Sequence, residues 1–129
     1  MREIKFRVWD SIKNIMLPVI EVSWEPLQVV RWVICWDKDE GDCCTVQLPK
    51  EGDLMQFTGL HDKNGKEIWE GDIIQDKKDK RFRGKIWYDD KKAMFCYEEL
   101  SLAEAINAGL LIKVIGNIYE NPELLKEGK

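Results

Sequence analysis

The sequence is poor in the side chains on which most catalytic sites are built. It contains one histidine, His61, and three serines, and none of the serines lies in a Gly-x-Ser-x-Gly pattern. A site with two imidazoles is therefore excluded, and His61 flanks a predicted tight turn, where a solvated side chain is the simpler interpretation. Neither a P-loop nor a dinucleotide-binding glycine pattern occurs. We therefore predict a protein that is not an enzyme, with no catalytic residue and no cofactor.

The sequence also lacks a long apolar segment. No run approaches the roughly 20 residues that cross a bilayer, and the longest one, residues 29–36, is interrupted by Arg31. The first ten residues carry charges where a signal peptide requires apolar residues. These two features predict a cytoplasmic protein that makes no membrane contact.

The cysteines lack the paired spacing that makes a zinc signature specific. The four are Cys35, Cys43, Cys44 and Cys96. Because two of them are adjacent and no secretory context is present, a disulfide framework is not expected either. We predict reduced, mostly buried thiols and no metal. The alternative is a thiolate site in which Cys35 and Cys44 face each other across a hairpin, with Cys96 nearby.

The length and the charge of the chain set further limits. A chain of 129 residues is long enough to bury a core without covalent staples, and we predict a single domain over residues 1–129. The formal net charge is −4. A protein of this sign is repelled by nucleic acid and by anionic membranes, which argues against non-specific binding to either.

One local segment departs from the acidic character of the chain. Residues 77–85 contain six basic residues and a single acid. The candidate nucleic-acid contacts in and around it are Lys77, Lys78, Lys80, Arg81, Phe82 and Arg83. Basic residues with an aromatic ring are typical of single-strand binders, in which charges follow the backbone and rings stack on bases. The favoured interpretation is a charged hairpin tip that discourages edge-to-edge pairing of strands.

Short strand-like runs separated by turn residues dominate the sequence. Residues 4–9 alternate apolar and polar side chains, and residues 29–36 are rich in β-branched and aromatic residues, as in strands. In residues 54–74 the strands and turns alternate at very short intervals, and a tight turn is predicted at residues 62–65, because an Asn-Gly pair tolerates positive φ at both residues. We predict a mainly β single domain of antiparallel hairpins that form a sandwich or a partly open barrel. An SH3-like barrel edge over residues 70–88 is the alternative.

Two helical segments are predicted within this β pattern. Ser101 and Glu104 form a capping box, in which each side chain satisfies a free backbone amide, and Gly109 is a natural stop. This predicts one short helix over residues 102–108. The Asn121-Pro122 pair places a cap residue before a proline, which predicts a C-terminal helical turn over residues 122–126.

Two of the six tryptophans share one side of a predicted strand. Trp32 and Trp36 are an even number of residues apart, so that in a regular strand they point the same way as Ile34 between them. They either belong to the core or form an aromatic interface between subunits, which aromatic side chains favour. The sequence pattern leaves both interpretations open.

Three segments together resemble the YopX family of phage and prophage proteins. They are REIKFRVWD with Met16 shortly after it, LMQFTGLHDKNGKEIWEGDII, and VIGNIYENPELL. The resemblance implies a mostly β fold, a phage or prophage origin, a location in the bacterial host cell, and no catalytic residues. It also implies a set of recurring positions, which have the properties of turn, cap and backbone-geometry residues. These positions are Gly59, Asp62, Gly65, Gly71, Asp72, Gly116, Asn117, Asn121 and Pro122.

The function predicted from these observations is binding. We expect a non-enzymatic interaction protein that forms a homo-oligomer, with a phage or host protein as a further possible partner. The alternative is a nucleic-acid-associated factor that uses the basic residues 77–85.

Overall fold

The structure, a computed structural model, describes residues 3–24, 30–78, 83–98 and 100–126. More than half of these residues lie in strands, and they also include one α-helix and one 3-10 helix. In chain order the elements are β1 (Phe6–Asp10), β2 (Ile15–Trp24), β3 (Val30–Asp37), β4 (Asp42–Gln47), β5 (Gly52–His61), β6 (Glu67–Trp69), β7 (Asp72–Asp76), β8 (Arg83–Asp89), β9 (Met94–Tyr97), β10 (Leu100–Ser101), α1 (Leu102–Asn107), β11 (Ile112–Asn117) and a 3-10 helix (Pro122–Leu125).

The described chain divides into two compact units, residues 3–56 and 57–126. The N-terminal unit contains an antiparallel sheet in the order β4-β3-β2-β1-β5. Strand β5 crosses the boundary, since its first residues pair with β1 and its last residues pair with β6. The C-terminal unit contains a second antiparallel sheet in the order β10-β9-β8-β7-β11. The predicted mainly β fold of antiparallel hairpins is confirmed, and neither sheet closes into a barrel within the described residues.

The core of the N-terminal unit is built from one face of its sheet. Its buried members are Val8, Leu17, Val33, Cys35 and Val46. Alternation along each strand explains the selection, because residues two positions apart point to the same face. The predicted strand at residues 4–9 is slightly displaced, since β1 begins at Phe6 and the Ile4 side chain is 59% exposed.

The C-terminal unit has its own core, to which both its sheet and its helix contribute. The buried members are Ile68, Ile74, Ile86, Tyr97, Leu102, Ala105, Ile112 and Val114. The helix α1 places two of its residues in this core at a spacing of three, which is one helical turn. Burial of apolar surface stabilises this unit by about 25 cal/mol per Å² removed from water.

In three of the hairpins, an aspartate side chain stabilises the turn by the same pattern of hydrogen bonds. In each, an aspartate closes the first strand and its Oδ1 accepts hydrogen bonds from the backbone N–H groups two and three residues later. These aspartates are Asp10, Asp37 and Asp89. The fourth residue after each aspartate has a positive φ; these residues are Asn14, Gly41 and Ala93. The aspartate side chain thus supplies an acceptor for backbone N–H groups that a four-residue turn would leave without partners, which fixes the register of the strands on either side.

Both predicted helical segments are confirmed, with small differences at their ends. The side chain of Ser101 accepts a hydrogen bond from the N–H of Glu104 at 3.4 Å, and α1 ends at Asn107 with Ala108 as its cap. The C-terminal turn is a 3-10 helix that begins at Pro122, but Asn121 makes no side-chain cap for it. Among the described residues, no helix has the length and apolar character needed to cross a membrane.

Candidate functional site

The recurring positions of the sequence motif all lie in the C-terminal unit, in turns, near the ends of strands or at the start of the 3-10 helix. Gly59, Gly65 and Gly71 have φ values of 86°, 82° and 83°. Residues with side chains rarely adopt this left-handed conformation, so that glycine is required by the backbone geometry itself. Asn64 has no positive φ, which differs from the expectation for an Asn-Gly turn. The tight turn itself is present, because the N–H of Gly65 donates to the carbonyl oxygen of Asp62 at 3.0 Å.

Asp62 makes side-chain hydrogen bonds to two parts of the C-terminal unit. Its Oδ1 accepts hydrogen bonds from the N–H groups of Asn64 and Lys66, both at 2.9 Å. Its Oδ2 accepts a hydrogen bond at 3.0 Å from the N–H of Val114, a residue of β11 that is 52 positions away in the sequence. The residue is only 8% exposed. One carboxylate therefore closes the β5–β6 loop and attaches that loop to β11.

The protonation state of Asp62 follows from these contacts. Burial alone would raise the pKa of its carboxyl group, because the charged form loses hydration. The backbone N–H donors of Val114, Lys66 and Asn64 oppose this effect and hold the pKa below its ordinary value of 3.8. Because the donors bind the charged form, Asp62 is an ionised carboxylate at neutral pH and stabilises the fold in that form.

Gly71 and Asp72 organise the bend between β6 and β7. The N–H of Gly71 donates to the carbonyl oxygen of Ile86, and the carbonyl oxygen of Gly71 accepts from the N–H of Ile118. Asp72, which is 3% exposed, accepts a hydrogen bond at 2.8 Å from the N–H of Trp69. The bend is therefore attached to β8 and to the turn that follows β11.

The third part of the motif is the turn that follows β11. The Oδ1 atom of Asn117 accepts from the N–H groups of Tyr119 and Glu120, the arrangement already seen at the aspartate hairpins. The Oδ1 atom of Asn121 accepts from the N–H of Asn117 at 3.3 Å. A Cβ atom at Gly116 would lie 2.5 Å from this same oxygen and 2.9 Å from the Cβ of Asn121. Glycine is therefore needed here for space rather than for an unusual φ.

The candidate nucleic-acid residues divide into three groups in the structure. Lys80, Arg81 and Phe82 lie outside the described residues. The side chains of Lys77 and Lys78 are exposed. Arg83 is bound within the protein.

The guanidinium group of Arg83 connects three elements of the C-terminal unit. Its Nε and Nη2 atoms donate to Oε1 of Gln75 on β7, at 2.9 and 2.7 Å, and its Nη1 donates to the carbonyl oxygen of Leu124 in the 3-10 helix. These hydrogen bonds hold the 3-10 helix against the sheet. They use donors of Arg83 that would otherwise be available to a ligand.

The residues considered for catalysis and metal binding are dispersed. His61 is exposed, and its ring meets the edge of Phe57 at a centroid distance of 5.7 Å. Cys35 and Cys44 are directly opposite each other on β3 and β4, as was predicted for a thiolate site at this hairpin. Cys96 belongs to the C-terminal unit, where it lies opposite Trp87. Among the described residues, no three histidine, cysteine or acidic side chains converge on a point that a metal ion could occupy.

The most prominent free surface of the N-terminal unit is an aromatic stripe on β3. Trp32 and Trp36 are 44% and 42% exposed, whereas Val33 and Cys35, which alternate with them, are fully buried. Ile34 lies between the two tryptophans on the same side of the strand. We call Trp32, Ile34 and Trp36 the tryptophan face. The interpretation of these tryptophans as core residues is wrong, because the inward side of β3 is occupied by the smaller residues.

The strand beside the tryptophan face is an edge of the sheet whose backbone is partly blocked. The N–H of Cys43 on β4 donates to Oδ1 of Asp42 at 2.7 Å. The N–H of Gln47 donates to Oε1 of Glu51 at 2.8 Å, and its carbonyl oxygen accepts from the N–H of Glu51. Side chains of the same chain thus occupy both ends of β4, which opposes the addition of a further strand there.

Comparison with known proteins places this fold in a family. The family described as YopX protein matches residues 5–126, nearly the whole chain. The resemblance predicted from the three sequence segments is thereby confirmed. The chain is also similar to protein EF1440 from Enterococcus faecalis, whose crystal structure aligns with a TM-score of 0.71 at 29% sequence identity, covering 97% of this chain and 99% of that one. No curated protein matches the chain.

Replacement of Asp62 by asparagine is expected to destabilise the protein by about 2 to 3 kcal/mol. The amide has one acceptor oxygen instead of two, so that at least one buried N–H donor loses its partner. Urea unfolding at pH 7 measures the change. Asp90→Asn, at an exposed turn position, is the matched control and should change the unfolding midpoint little.

The same pair of variants tests the pH dependence of stability. Because the pKa of Asp62 is lowered by folding, its contribution is fully present above the unfolded pKa of about 4 and is lost as the pH falls through the folded value. The destabilisation by Asp62→Asn should therefore shrink in acid. A difference between wild type and Asp62→Asn that stays constant down to the acid limit would contradict this assignment.

Replacement of Gly116 by alanine should destabilise the protein by about 1 to 3 kcal/mol. The new methyl group collides with the Asn121 side chain, which must leave the N–H of Asn117. Thermal unfolding of Gly116→Ala, Asn121→Ala and the double variant measures the coupling between the two positions. We expect the second substitution to cost less in the presence of the first; strictly additive effects would show that the collision is not the cause.

Proposed function

This chain belongs to the YopX family, and we propose that it is a non-enzymatic interaction protein that self-associates through its tryptophan face. We further propose that it acts in the cytoplasm of a bacterial cell that carries a phage or prophage. The turns that carry the family motif then serve the architecture, and the tryptophan face serves the function.

The observation that carries the proposal is the division of β3 into two sides. Small apolar residues, Val33 and Cys35, are fully buried on the inward side, while Trp32 and Trp36 are more than 40% exposed on the outward side. Exposure of two tryptophans on one strand leaves a large apolar area in water, and such patches mark interaction sites. Tryptophan is also the residue type that most often dominates the binding energy of an interface.

The neighbours of the tryptophan face suit a face-to-face contact. In the register of the sheet, Glu21 on β2 and Thr45 on β4 lie opposite Ile34. Polar side chains therefore flank an apolar centre, which is the usual composition of a binding surface. Since the β4 edge is blocked by Asp42 and Glu51, association through the faces of two sheets is favoured over addition of strands at their edges.

The use of the motif residues supports a non-enzymatic role. Asp62 and Asn117 engage backbone N–H groups of their own unit, and Gly71 bonds to the backbones of β8 and of the turn after β11. The residues that identify the family are thus occupied in holding loops together. His61 lies at the end of β5, whereas the thiols Cys35 and Cys44 lie on β3 and β4.

Replacement of both tryptophans by lysine tests the proposal. We expect the wild-type chain to sediment as an oligomer at micromolar concentration and the Trp32→Lys/Trp36→Lys variant to weaken association by about 2 kcal/mol or more, because the centre of the interface is lost. Sedimentation velocity over a range of concentrations measures the shift. Circular dichroism of each variant checks that the fold is retained.

A tryptophan of similar exposure in the other unit supplies the control. Trp87 is 38% exposed on β8, and Trp87→Lys should leave the association constant unchanged. Two results would contradict the proposal: a wild-type chain that remains monomeric at every concentration, or a double variant that associates as strongly as wild type. In the first case a phage or host protein becomes the expected occupant of the tryptophan face.

Nucleic-acid binding remains the second candidate because of a different surface. Lys77 and Lys78 are exposed where β7 ends, and Lys85 and Trp87 are exposed on the same side of the adjacent strand β8. Of these, Lys85 shares one side of β8 with the accessible indole ring of Trp87, and a cation next to an aromatic ring is a combination that binds single strands. The guanidinium group of Arg83 donates hydrogen bonds to Gln75 and Leu124 within the protein. Nucleic-acid binding is therefore less favoured than self-association.

Charge reversal of the two lysines tests this second candidate. Binding to a single-stranded oligonucleotide at low salt is measured by fluorescence anisotropy for wild type, Lys77→Glu/Lys78→Glu and the matched control Lys91→Glu/Lys92→Glu, which reverses two exposed lysines in the β8–β9 turn. We expect weak binding that both pairs reduce equally, as for net charge alone. Binding that is abolished only by the first pair would favour the nucleic-acid function.

A further inference from the structure

Cys35 and Cys44 form a pair of thiols at the inward face of the β3–β4 hairpin. The two residues are directly opposite in the register of these strands. The two thiols are close enough to act on each other electrostatically. Cys35 is fully buried, whereas Cys44 is half-buried. The pair therefore has one member that a small molecule can reach and one that it cannot.

Charged groups surround the more accessible thiol. The Nζ atom of Lys13 lies 3.5 Å from Oδ2 of Asp37, and this ammonium group acts electrostatically on Cys44. Asp37 and Asp10, both nearly buried, act on Cys44 with the opposite sign. Among the described residues, Lys13 is thus the cation that favours a thiolate at Cys44, and it belongs to an exposed turn.

We propose that Cys35 and Cys44 form a reversible disulfide by exchange with a low-molecular-weight disulfide such as oxidised glutathione, with Cys44 as the attacking thiol and Cys35 as the resolving thiol. The proposal rests on the register and burial of the two residues, and it is independent of the function proposed for the tryptophan face.

The exchange proceeds in two balanced steps. The Cys44 thiol loses its proton to solvent, and the thiolate attacks one sulfur of the small disulfide, which forms a mixed disulfide and releases one small thiolate. The Cys35 thiol then loses its proton and attacks the Cys44 sulfur, which forms the Cys35–Cys44 bond and releases the second small thiolate. Both released thiolates take up the two protons. The protein dithiol is oxidised by two electrons and the small disulfide is reduced to two thiols.

The geometry of the hairpin makes the bond possible and also reversible. The backbone N–H and the carbonyl oxygen of Gln47 both form hydrogen bonds with Glu51. Gln47 and Trp32 are therefore an opposite pair that has no inter-strand hydrogen bonds. The pairs alternate along the strands, which makes Cys35–Cys44 a hydrogen-bonded pair with Cα atoms about 5.5 Å apart. This separation lies within the disulfide range, but the Cβ atoms must approach, and strained disulfides are the more easily reduced.

The environment also predicts how the exchange depends on pH. Burial raises the pKa of Cys44 above its ordinary value, with Lys13 opposing the increase and Asp37 and Asp10 adding to it. Burial, together with the neighbouring Cys44 and Asp10, raises the pKa of Cys35 to about 12. Both thiols are therefore protonated at neutral pH, and the exchange should accelerate as the pH rises towards alkaline values.

The test is exposure of the reduced full-length protein to oxidised glutathione at mildly alkaline pH. After an acid quench and alkylation of the remaining thiols, peptide mapping by mass spectrometry should show a cross-link between Cys35 and Cys44, with two hydrogen atoms lost from the pair. Cys43 and Cys96 should be recovered free or, for Cys43, as a glutathione adduct. The cross-linked protein should unfold at a higher temperature than the reduced protein, because β3 and β4 are joined.

Two variants separate the roles of the thiols. Cys35→Ala should stop at a stable glutathione adduct on Cys44, and Cys43→Ser, which changes an exposed neighbour on the other side of β4, should cross-link as wild type does. The wild-type map alone decides the proposal if Cys35→Ala fails to fold. Adducts on Cys43 without any Cys35–Cys44 cross-link, or loss of the cross-link in Cys43→Ser, would overturn the proposal.

Discussion

The ionised carboxylate of Asp62 is the interaction on which the rest of the C-terminal unit depends. It accepts three backbone hydrogen bonds, two from its own loop and one from Val114 on β11. A neutral side chain of the same shape has only one acceptor oxygen, and water has little access at a position 8% exposed. The loop between β5 and β6 is therefore held to a strand that is distant in the sequence. The bend at Gly71 and the turn at Asn117 extend the same network through backbone contacts.

In other turns, a polar side chain likewise accepts hydrogen bonds from backbone N–H groups, but only from those of its own turn. Asp10, Asp37 and Asp89 each bind two N–H groups of the turn that they open, and Asn117 does so after β11. Short polar side chains thus replace the backbone partners that tight turns cannot provide. Because the register of the strands is fixed in this way, the alternation of side chains along each strand decides which of them point into the core. On β3 it places a thiol inside and two tryptophans outside, and these two sides carry the two inferences drawn about the N-terminal unit.

Much of the fold could be predicted because its signals are local. The capping box of Ser101 and Glu104 located the helix, and the spacing of Trp32 and Trp36 placed both on one side of a strand. Periodicity does not say which side faces the core, because that depends on the volume available between elements. The tight turn at residues 62–65 was predicted from the Asn64-Gly65 pair and is present, although of these two residues only Gly65 has a positive φ. The bond from Asp62 to Val114 and the engagement of Arg83 with Leu124 join residues far apart in the chain, and no pattern of neighbouring residues indicates such contacts.

The central claim is that a charged, buried Asp62 holds the turn to β11. The most direct measurement is an NMR pH titration of the side-chain carboxyl carbon of Asp62, followed together with the amide protons of Asn64, Lys66 and Val114. The account predicts a pKa below the ordinary value of 3.8 and a coincident titration of all three amide signals. A carboxyl group that titrates at or above 3.8, or a Val114 amide that does not respond, would contradict it.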